Sequence, residues 1–359
     1  MKARILAILG AVIFCAACSH TGTYNIDGTV TLDDGTEVYL IDLNGPDGGD
    51  TLGVTTVGGG KFAFTGKTAK PVYAYIGRER KRIRAILEPG TLVVNIDEYS
   101  TEGTPLEDQG NTYNEEFYSF DKVRREARQA LADRKANLTP EEFNSEWDNI
   151  EAAWKEKKIA ICDSMIRANK DNLLGAMVMN DLSMVDPEAF LEHYDLLTKE
   201  MKEHVLVSKP YSLVKAFAET GEGKPFIDYT VPGGNPDGTD VKLSDYVGKG
   251  KFILVDHWAS WCGPCKAEMP HIKKAYDAFH GEKFDVVSVA VSDKREDTEA
   301  ALAKLDMPWN QIMDAQKVPG ELYGFNAIPH LILFGPDGTI VKRGLRGEQI
   351  YATMEELLK

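Results

Sequence analysis

Between residues 23 and 110 the chain alternates apolar and polar positions in short runs broken by Gly, Asp and Pro. The runs 24–32, 37–42, 61–66, 72–76, 83–87 and 91–96 carry the two-residue period of half-buried strands, so residues 18–110 are predicted to form an all-β, sandwich-like domain. From about residue 112 the pattern changes. Residues 111–219 are rich in Ala, Glu, Lys, Arg and Leu with few β-branched runs, which predicts a helical spacer. Thr139-Pro140-Glu141-Glu142 reads as a helix start, with Thr139 as N-cap and Pro140 in the first helical position, and Asp186-Pro187-Glu188-Ala189 as another. Residues 221–224 form the hinge into a last region, 220–359, where the apolar run Phe252-Ile253-Leu254-Val255 predicts a buried strand.

That strand leads into Trp261-Cys262-Gly263-Pro264-Cys265 and then Lys266-Ala267-Glu268-Met269-Pro270. A strand ending at Asp256, a tight Gly-Pro turn and a helix beginning there put Cys262 at unpaired backbone N–H groups and the positive end of the helix dipole, where a thiolate is stabilised. Cys265 lies one helical turn on, within reach to close a disulfide and expel whatever Cys262 has captured. A closed zinc site would need four ligands; no second Cys pair exists among the five cysteines, and neither His257 nor His271 has ligand spacing, so no metal is expected. A purely structural disulfide across two residues would gain little unfolded-state entropy. Redox chemistry is the reading that fits.

Two acids flank the dithiol. Cys265, Glu268, Ile272, Ala275, Tyr276 and Phe279 recur at helical spacing, which turns Glu268 inward with the apolar stripe; the alternative is that it snorkels to solvent. Asp256 closes an apolar run and is expected to be buried, the alternative being an exposed strand end. Buried together, they would raise each other's pKa through desolvation and repulsion, which suits proton exchange with Cys265 near neutral pH.

The string from Asp256 to Lys266 resembles the thioredoxin active-site signature, including the acid six residues before the first cysteine. Pro270 matches that family's kink proline, and Ile328-Pro329, just before Leu331-Ile332-Leu333-Phe334, matches its cis-proline. An N-terminal extension (226–229 and 241–246) and an inserted segment (297–305, 309–313 and 318–325) narrow the resemblance to the membrane-tethered TlpA/ResA-like thiol-disulfide oxidoreductases. The resemblance implies an α/β thioredoxin fold over 220–359, with Cys262 the attacking thiolate and Cys265 the resolving thiol. Asp256 occupies the buried-acid position of thioredoxin, and Glu268 that of an acid in the TlpA/ResA-like group. Trp258 and Trp261, with Gly263 and Pro264, would shape the rim, while Ile328 and Pro329 would align a substrate chain like an added strand. No cofactor is implied. The Gly-Pro dipeptide is that of reducing thioredoxins, with potentials near about −270 mV, so disulfide reduction is the favoured direction. A peroxiredoxin-like peroxidase is one alternative, but the Pro-x-x-x-Thr-x-x-Cys loop it needs is absent. A non-catalytic envelope binding protein working through its β domain is another, against which the intact Trp-Cys-Gly-Pro-Cys argues. The β domain itself resembles the sandwich-like domain of unknown function found ahead of thioredoxin-like domains in bacterial lipoproteins.

The N-terminus bears on compartment. Lys2 and Arg4 precede an apolar run, 5–17, of signal-peptide length and too short to span a bilayer comfortably. Cys15-Ala16-Ala17-Cys18 resembles a bacterial lipobox, which makes 1–17 a lipoprotein signal peptide and Cys18 the lipidated residue; an ordinary secretory signal cleaved near Ala17 is the alternative. Ser19, not Asp, follows, which favours the outer membrane. The expected setting is the periplasm-facing cell envelope, with disulfide-containing envelope proteins as substrates and a membrane thiol reductase as electron donor. At 359 residues and 43% hydrophobic content the chain can bury proper cores. A net charge of −15, more negative still once Lys2 and Arg4 leave with the signal, argues against nucleic acid. Of the cysteines left beyond the signal, Cys162 sits among apolar residues at helical spacing and reads as a core residue. Arg78-Glu79-Arg80-Lys81-Arg82-Ile83-Arg84 reads as a solvated hairpin tip and charged edge strand, or else as a patch for an acidic partner.

Overall fold

The structure is a computed structural model that describes residues 22–44 and 49–359; the signal run and Cys18 lie outside the described residues. It divides into two compact units, the first reaching to Val185 and adding Asp195–Val205, the second made of Asp186–Tyr194 and Leu206–Lys359.

Eight strands open the first unit: β1 (Gly22–Thr29), β2 (Glu37–Asp42), β3 (Asp50–Thr56), β4 (Lys61–Thr68), β5 (Val72–Arg78), β6 (Lys81–Leu87), β7 (Gly90–Asn95) and β8 (Ser100–Glu102). They form two four-stranded sheets ordered β4-β1-β7-β8 and β3-β2-β5-β6. Alternate residues from both sheets, among them Ile26, Val38, Leu40, Phe62, Ile76 and Leu92, meet in one shared apolar cluster, which is the sandwich expected from the period-two pattern. All six predicted runs are strands. β3 and β8 escaped the pattern because β3 is an edge strand with Leu52 and Val54 about half exposed, and β8 is three residues long. The Arg-rich segment is the β5–β6 hairpin: Arg78 pairs with Lys81, Glu79 takes a left-handed φ of 49° in the turn, and β6 is an outer strand. Arg82 and Arg84 stack on Tyr75 at 4.5 and 5.2 Å, so the charge guards a strand edge as expected.

Helices α1 (Pro105–Asp133), α2 (Pro140–Ala168) and α3 (Leu173–Val185) follow, then α4 (Pro187–Tyr194) of the second unit and α5 (Lys199–Glu203) of the first. Thr139 builds a full capping box: its Oγ1 accepts from Glu142 N–H at 3.2 Å while the Glu142 carboxylate accepts from Thr139 N–H at 2.8 Å. Asp186 Oδ1 caps α4, accepting from Glu188 and Ala189 N–H at 2.9 and 3.1 Å. α1 is fastened to the sandwich by Glu107, a buried acid that accepts from Ile86 N–H at 2.6 Å and from the Thr101 hydroxyl. Cys162 is fully buried, 3.6 Å from Tyr113 Oη, and burial pushes its thiol up to about 12, which suits a core residue and not a nucleophile.

In the second unit α6 (Val205–Glu219) leads to β9 (Thr230–Val231) and β10 (Val241–Lys242), β11 (Phe252–Trp258), α7 (Gly263–Phe279), β12 (Phe284–Ala290), α8 (Arg295–Leu302), β13 (Asn310–Ile312), α9 (Val318–Tyr323), β14 (His330–Phe334), β15 (Ile340–Arg343) and α10 (Glu348–Leu358). The main sheet runs β13-β12-β11-β14-β15, with β12 and β13 parallel to their neighbours on one side of β11 and β14 and β15 antiparallel on the other. This is the α/β thioredoxin order, and it makes β11 the central strand. Its two faces feed different cores: Ile253 and Val255 join Tyr229, Val289 and Phe334, while Leu254 joins Ile272 of α7 and Ile350 and Met354 of α10. Burial on both sides explains why the run reads as continuously apolar. α6 docks at Gly324, where a Cβ would come within 2.3 Å of the Leu213 carbonyl and which has a φ of 68°, so only glycine serves. Arg343 reinforces that contact, donating to Thr220 O at 2.9 Å and stacking on Phe217 at 4.1 Å.

Candidate active site

Alternation along β11 sends Asp256 and Trp258 to the Leu254 face, beneath α7. The strand ends there and the chain turns through Ala259-Ser260-Trp261 into α7. Asp293, buried just past β12, holds this turn: it accepts from Ser260 N–H at 2.6 Å, Ser260 Oγ at 2.9 Å, Lys294 N–H at 3.0 Å and Thr298 Oγ1 at 2.9 Å. Cys262 is the N-cap of α7, its Sγ accepting from Cys265 N–H at 3.2 Å. A sulfur in that position takes the place of the usual capping oxygen and gains most as an anion. Cys262 and Cys265 are joined as a disulfide, with Cα atoms 5.3 Å apart.

Both cysteines are almost fully buried, while Trp261 is 64% exposed and anchored by its indole N–H to the Ser292 carbonyl at 3.0 Å. Gly263 and Pro264 are exposed beside it. Trp258 is not on the rim as expected. It is fully buried, packed with Cys262, Cys265 and Met269, because the strand that carries it runs beneath the helix; it serves as the floor of the site. Ile328-Pro329 is a cis peptide, and the Ile328 carbonyl lies 3.9 Å from Cys262 Sγ. Beside Trp261 a cavity of about 680 Å³ opens towards Ser292, Lys294, Asp314 and Lys317.

Asp256 is buried at 1% exposure. Loss of solvation, with a further push from Glu268, raises its carboxyl to about 7, against the opposing pull of the Ser288 hydroxyl and Arg346. Ser288 Oγ donates to Asp256 Oδ2 at 3.1 Å and accepts from Trp309 Nε1 at 2.9 Å. Oδ1 meets no donor among the described residues and is the oxygen open to carry a proton. Glu268 is buried, not snorkelling, and its carboxylate accepts from Gly347 N–H at the start of α10. On the opposite face of β11, His257 Nδ1 sits 2.8 Å from the His330 carbonyl; burial holds His257 down at about 4 and His330 at about 3, so both are neutral packing groups at physiological pH. Among the described residues no cluster of three or more His, Cys, Asp or Glu could hold a metal ion.

The sequence reading missed Ser288, Asp293, Trp309 and the turn carrying Arg346. Only Asp293 left a trace, as an acid just beyond a buried strand and before a helix; the others reach the site from strands and turns distant along the chain.

Residues 223–343 match the model of the AhpC/TSA family, and residues 24–117 match a domain of unknown function, DUF4369. The ResA thiol-disulfide oxidoreductase of Bacillus subtilis is 27% identical over 106 residues, which cover 30% of this chain and 58% of that protein, so the match spans a little over half of the relative's length. Among solved structures, the thioredoxin domain of a thiol-disulfide oxidoreductase from Bacteroides vulgatus is 33% identical, with 39% of this chain and 99% of that one covered and a TM-score of 0.36. A thiol:disulfide interchange protein from a Bacteroides species is also 33% identical, with 38% and 90% covered and a TM-score of 0.35. With the Cys262–Cys265 pair at the head of α7, residues 223–343 form an AhpC/TSA-type domain of the thioredoxin superfamily, similar to the ResA thiol-disulfide oxidoreductases.

Proposed function

We propose that this protein is a thiol:disulfide oxidoreductase of the cell envelope that reduces disulfides of other envelope proteins through Cys262 and Cys265. The observation that carries the reading is the N-cap placement of Cys262, with its sulfur on the Cys265 N–H and its partner cysteine one turn away. In the forward cycle the Cys262 thiolate attacks one sulfur of a client disulfide, the client S–S bond breaks, and the departing client sulfur takes up a proton. Cys265 then loses its proton and attacks Cys262 Sγ, which releases the second client thiol and leaves the Cys262–Cys265 disulfide. Asp256, with a pKa near neutrality and one open oxygen, suits receipt of the Cys265 proton, and Glu268 adds negative charge that keeps Asp256 basic. A membrane thiol reductase would return two electrons to the disulfide.

Dithiothreitol-coupled insulin reduction tests this directly: the wild-type protein should accelerate insulin precipitation and show no thiol-dependent peroxide consumption. Peroxide turnover without insulin reduction would give the site to the peroxidase reading, and neither activity would move the function to the β domain.

The envelope setting rests on the lipobox-like Cys15-Ala16-Ala17-Cys18, with Ser19 favouring the outer membrane. Cys18→Ala should block lipidation, so that the protein leaves the membrane fraction or stalls as an uncleaved precursor on immunoblots of fractionated cells. Unmodified, processed wild-type protein already free of membranes would remove the anchor.

A further inference from the structure

The turn after β15, Gly344-Leu345-Arg346-Gly347, is bound to three parts of the candidate active site. Gly344 N–H donates to the Leu331 carbonyl at 2.8 Å, Gly347 N–H donates to the Glu268 carboxylate, and the Arg346 guanidinium donates to the Pro329 carbonyl. The same guanidinium donates through Nη1 to its neighbour's carbonyl, Leu345 O, at 2.8 Å. Gly344 and Gly347 have φ of 71° and 55°, left-handed values that favour glycine and fold the turn so that the arginine between them crosses to the proline.

Pro329 needs such a support. The β11–β14 ladder ends at His257 paired with His330, so the Pro329 carbonyl lies beyond the last paired residue, and proline has no N–H of its own to anchor it. Its neighbour Ile328 carries the carbonyl 3.9 Å from Cys262 Sγ. At the other end of the turn, Glu268 sits one helical turn beyond Cys265. The turn therefore ties the helix behind the resolving cysteine to the peptide beside the attacking one.

We propose that Arg346 is a positioning residue for polypeptide substrates: by holding the Pro329 carbonyl it fixes the direction in which Ile328 presents its backbone N–H and C=O to a client chain passing Cys262. The inference rests on the disulfide-exchange reading above. Arginine suits the task because its planar fork reaches two carbonyls at once, whereas a lysine at this position could hold one and a methionine neither.

The test compares wild type, Arg346→Lys and Arg346→Met, the last keeping the aliphatic stem. For insulin reduction, Arg346→Met should raise KM about tenfold while changing kcat less than about threefold, and Arg346→Lys should recover much of the loss, as expected for one charge-assisted hydrogen bond. A wild-type KM in Arg346→Met, a lysine variant no better than methionine, or a fall in kcat at constant KM would overturn the proposal. A second measurement stands apart from turnover. Amide hydrogen exchange at His330, the last paired residue beside Pro329, should quicken about tenfold in Arg346→Met while the β11 amides keep their protection. Unchanged exchange there overturns the role of Arg346 whatever the activity, whereas a wild type inert towards insulin overturns the enzymatic reading and leaves the exchange result to decide the placement of Pro329.

Discussion

Cys262→Ser is expected to abolish disulfide exchange, by about three orders of magnitude or more, because an alkoxide cannot form where a capped thiolate can. Cys265→Ala should behave differently. Cys262 keeps its helix cap and still attacks, but nothing releases the captured client, so mixed disulfides accumulate. Non-reducing gels of cells expressing the Ala variant should show higher-mass adducts that collapse on reduction, and mass spectrometry of them would identify the clients. The burial of both sulfurs beneath an exposed Trp261 means that capture requires a client strand to settle against the Ile328 peptide, so adducts should be confined to a few proteins. Adducts of equal yield in the Cys262→Ser protein would show that Cys265 is the attacking residue and reverse the assignment.

Asp256→Asn should stabilise the oxidised protein above neutral pH and slow its turnover. Burial raises the native carboxyl from its ordinary value near 4 to about 7. Below about pH 4 the acid is protonated both folded and unfolded, and it costs nothing. As pH rises from 4 to 7 the unfolded chain releases this proton while the native state keeps it, so stability is lost across that window and the full cost stands above pH 7. A shift of about three units corresponds to an upper bound on the order of 4 kcal/mol, from which imperfect accommodation of the amide subtracts; a gain of about 2 kcal/mol at pH 8 that fades by pH 4 is expected. Hydrogen exchange of the β11 amides reports it without interference from the first unit. The same variant should lose the pH dependence of Cys262–Cys265 closure between pH 6 and 8. A gain equal at pH 4 and 8, or none at either, would mean that Asp256 carries no buried proton.

The local patterns carried much of this protein. Period-two runs marked six of the eight sandwich strands because one face of each is buried against the opposite sheet, and Thr139-Pro140-Glu141-Glu142 marked α2 because a capping box is satisfied within four consecutive residues. Trp261 to Cys265 announced its chemistry for the same reason: a strand, a Gly-Pro turn and a helix start place one sulfur on a backbone N–H by local geometry alone. Inward-facing Glu268 followed from the helical period. Tertiary structure decided the rest. Trp258 and Trp261 stand three residues apart in one motif, yet sheet register buries the first and leaves the second in solvent, a difference no spacing expresses. Asp256 acquires its proton affinity from removal of water beneath α7 and from the nearby Glu268, against the pull of Ser288 and Arg346, which come from a neighbouring strand and a distant turn. Pro329 is held by an arginine seventeen residues away. Hydrogen bonds within a turn or helix are written in adjacent residues; desolvation and long-range hydrogen bonds depend on which surfaces the fold brings together, and those exist only after the chain has packed.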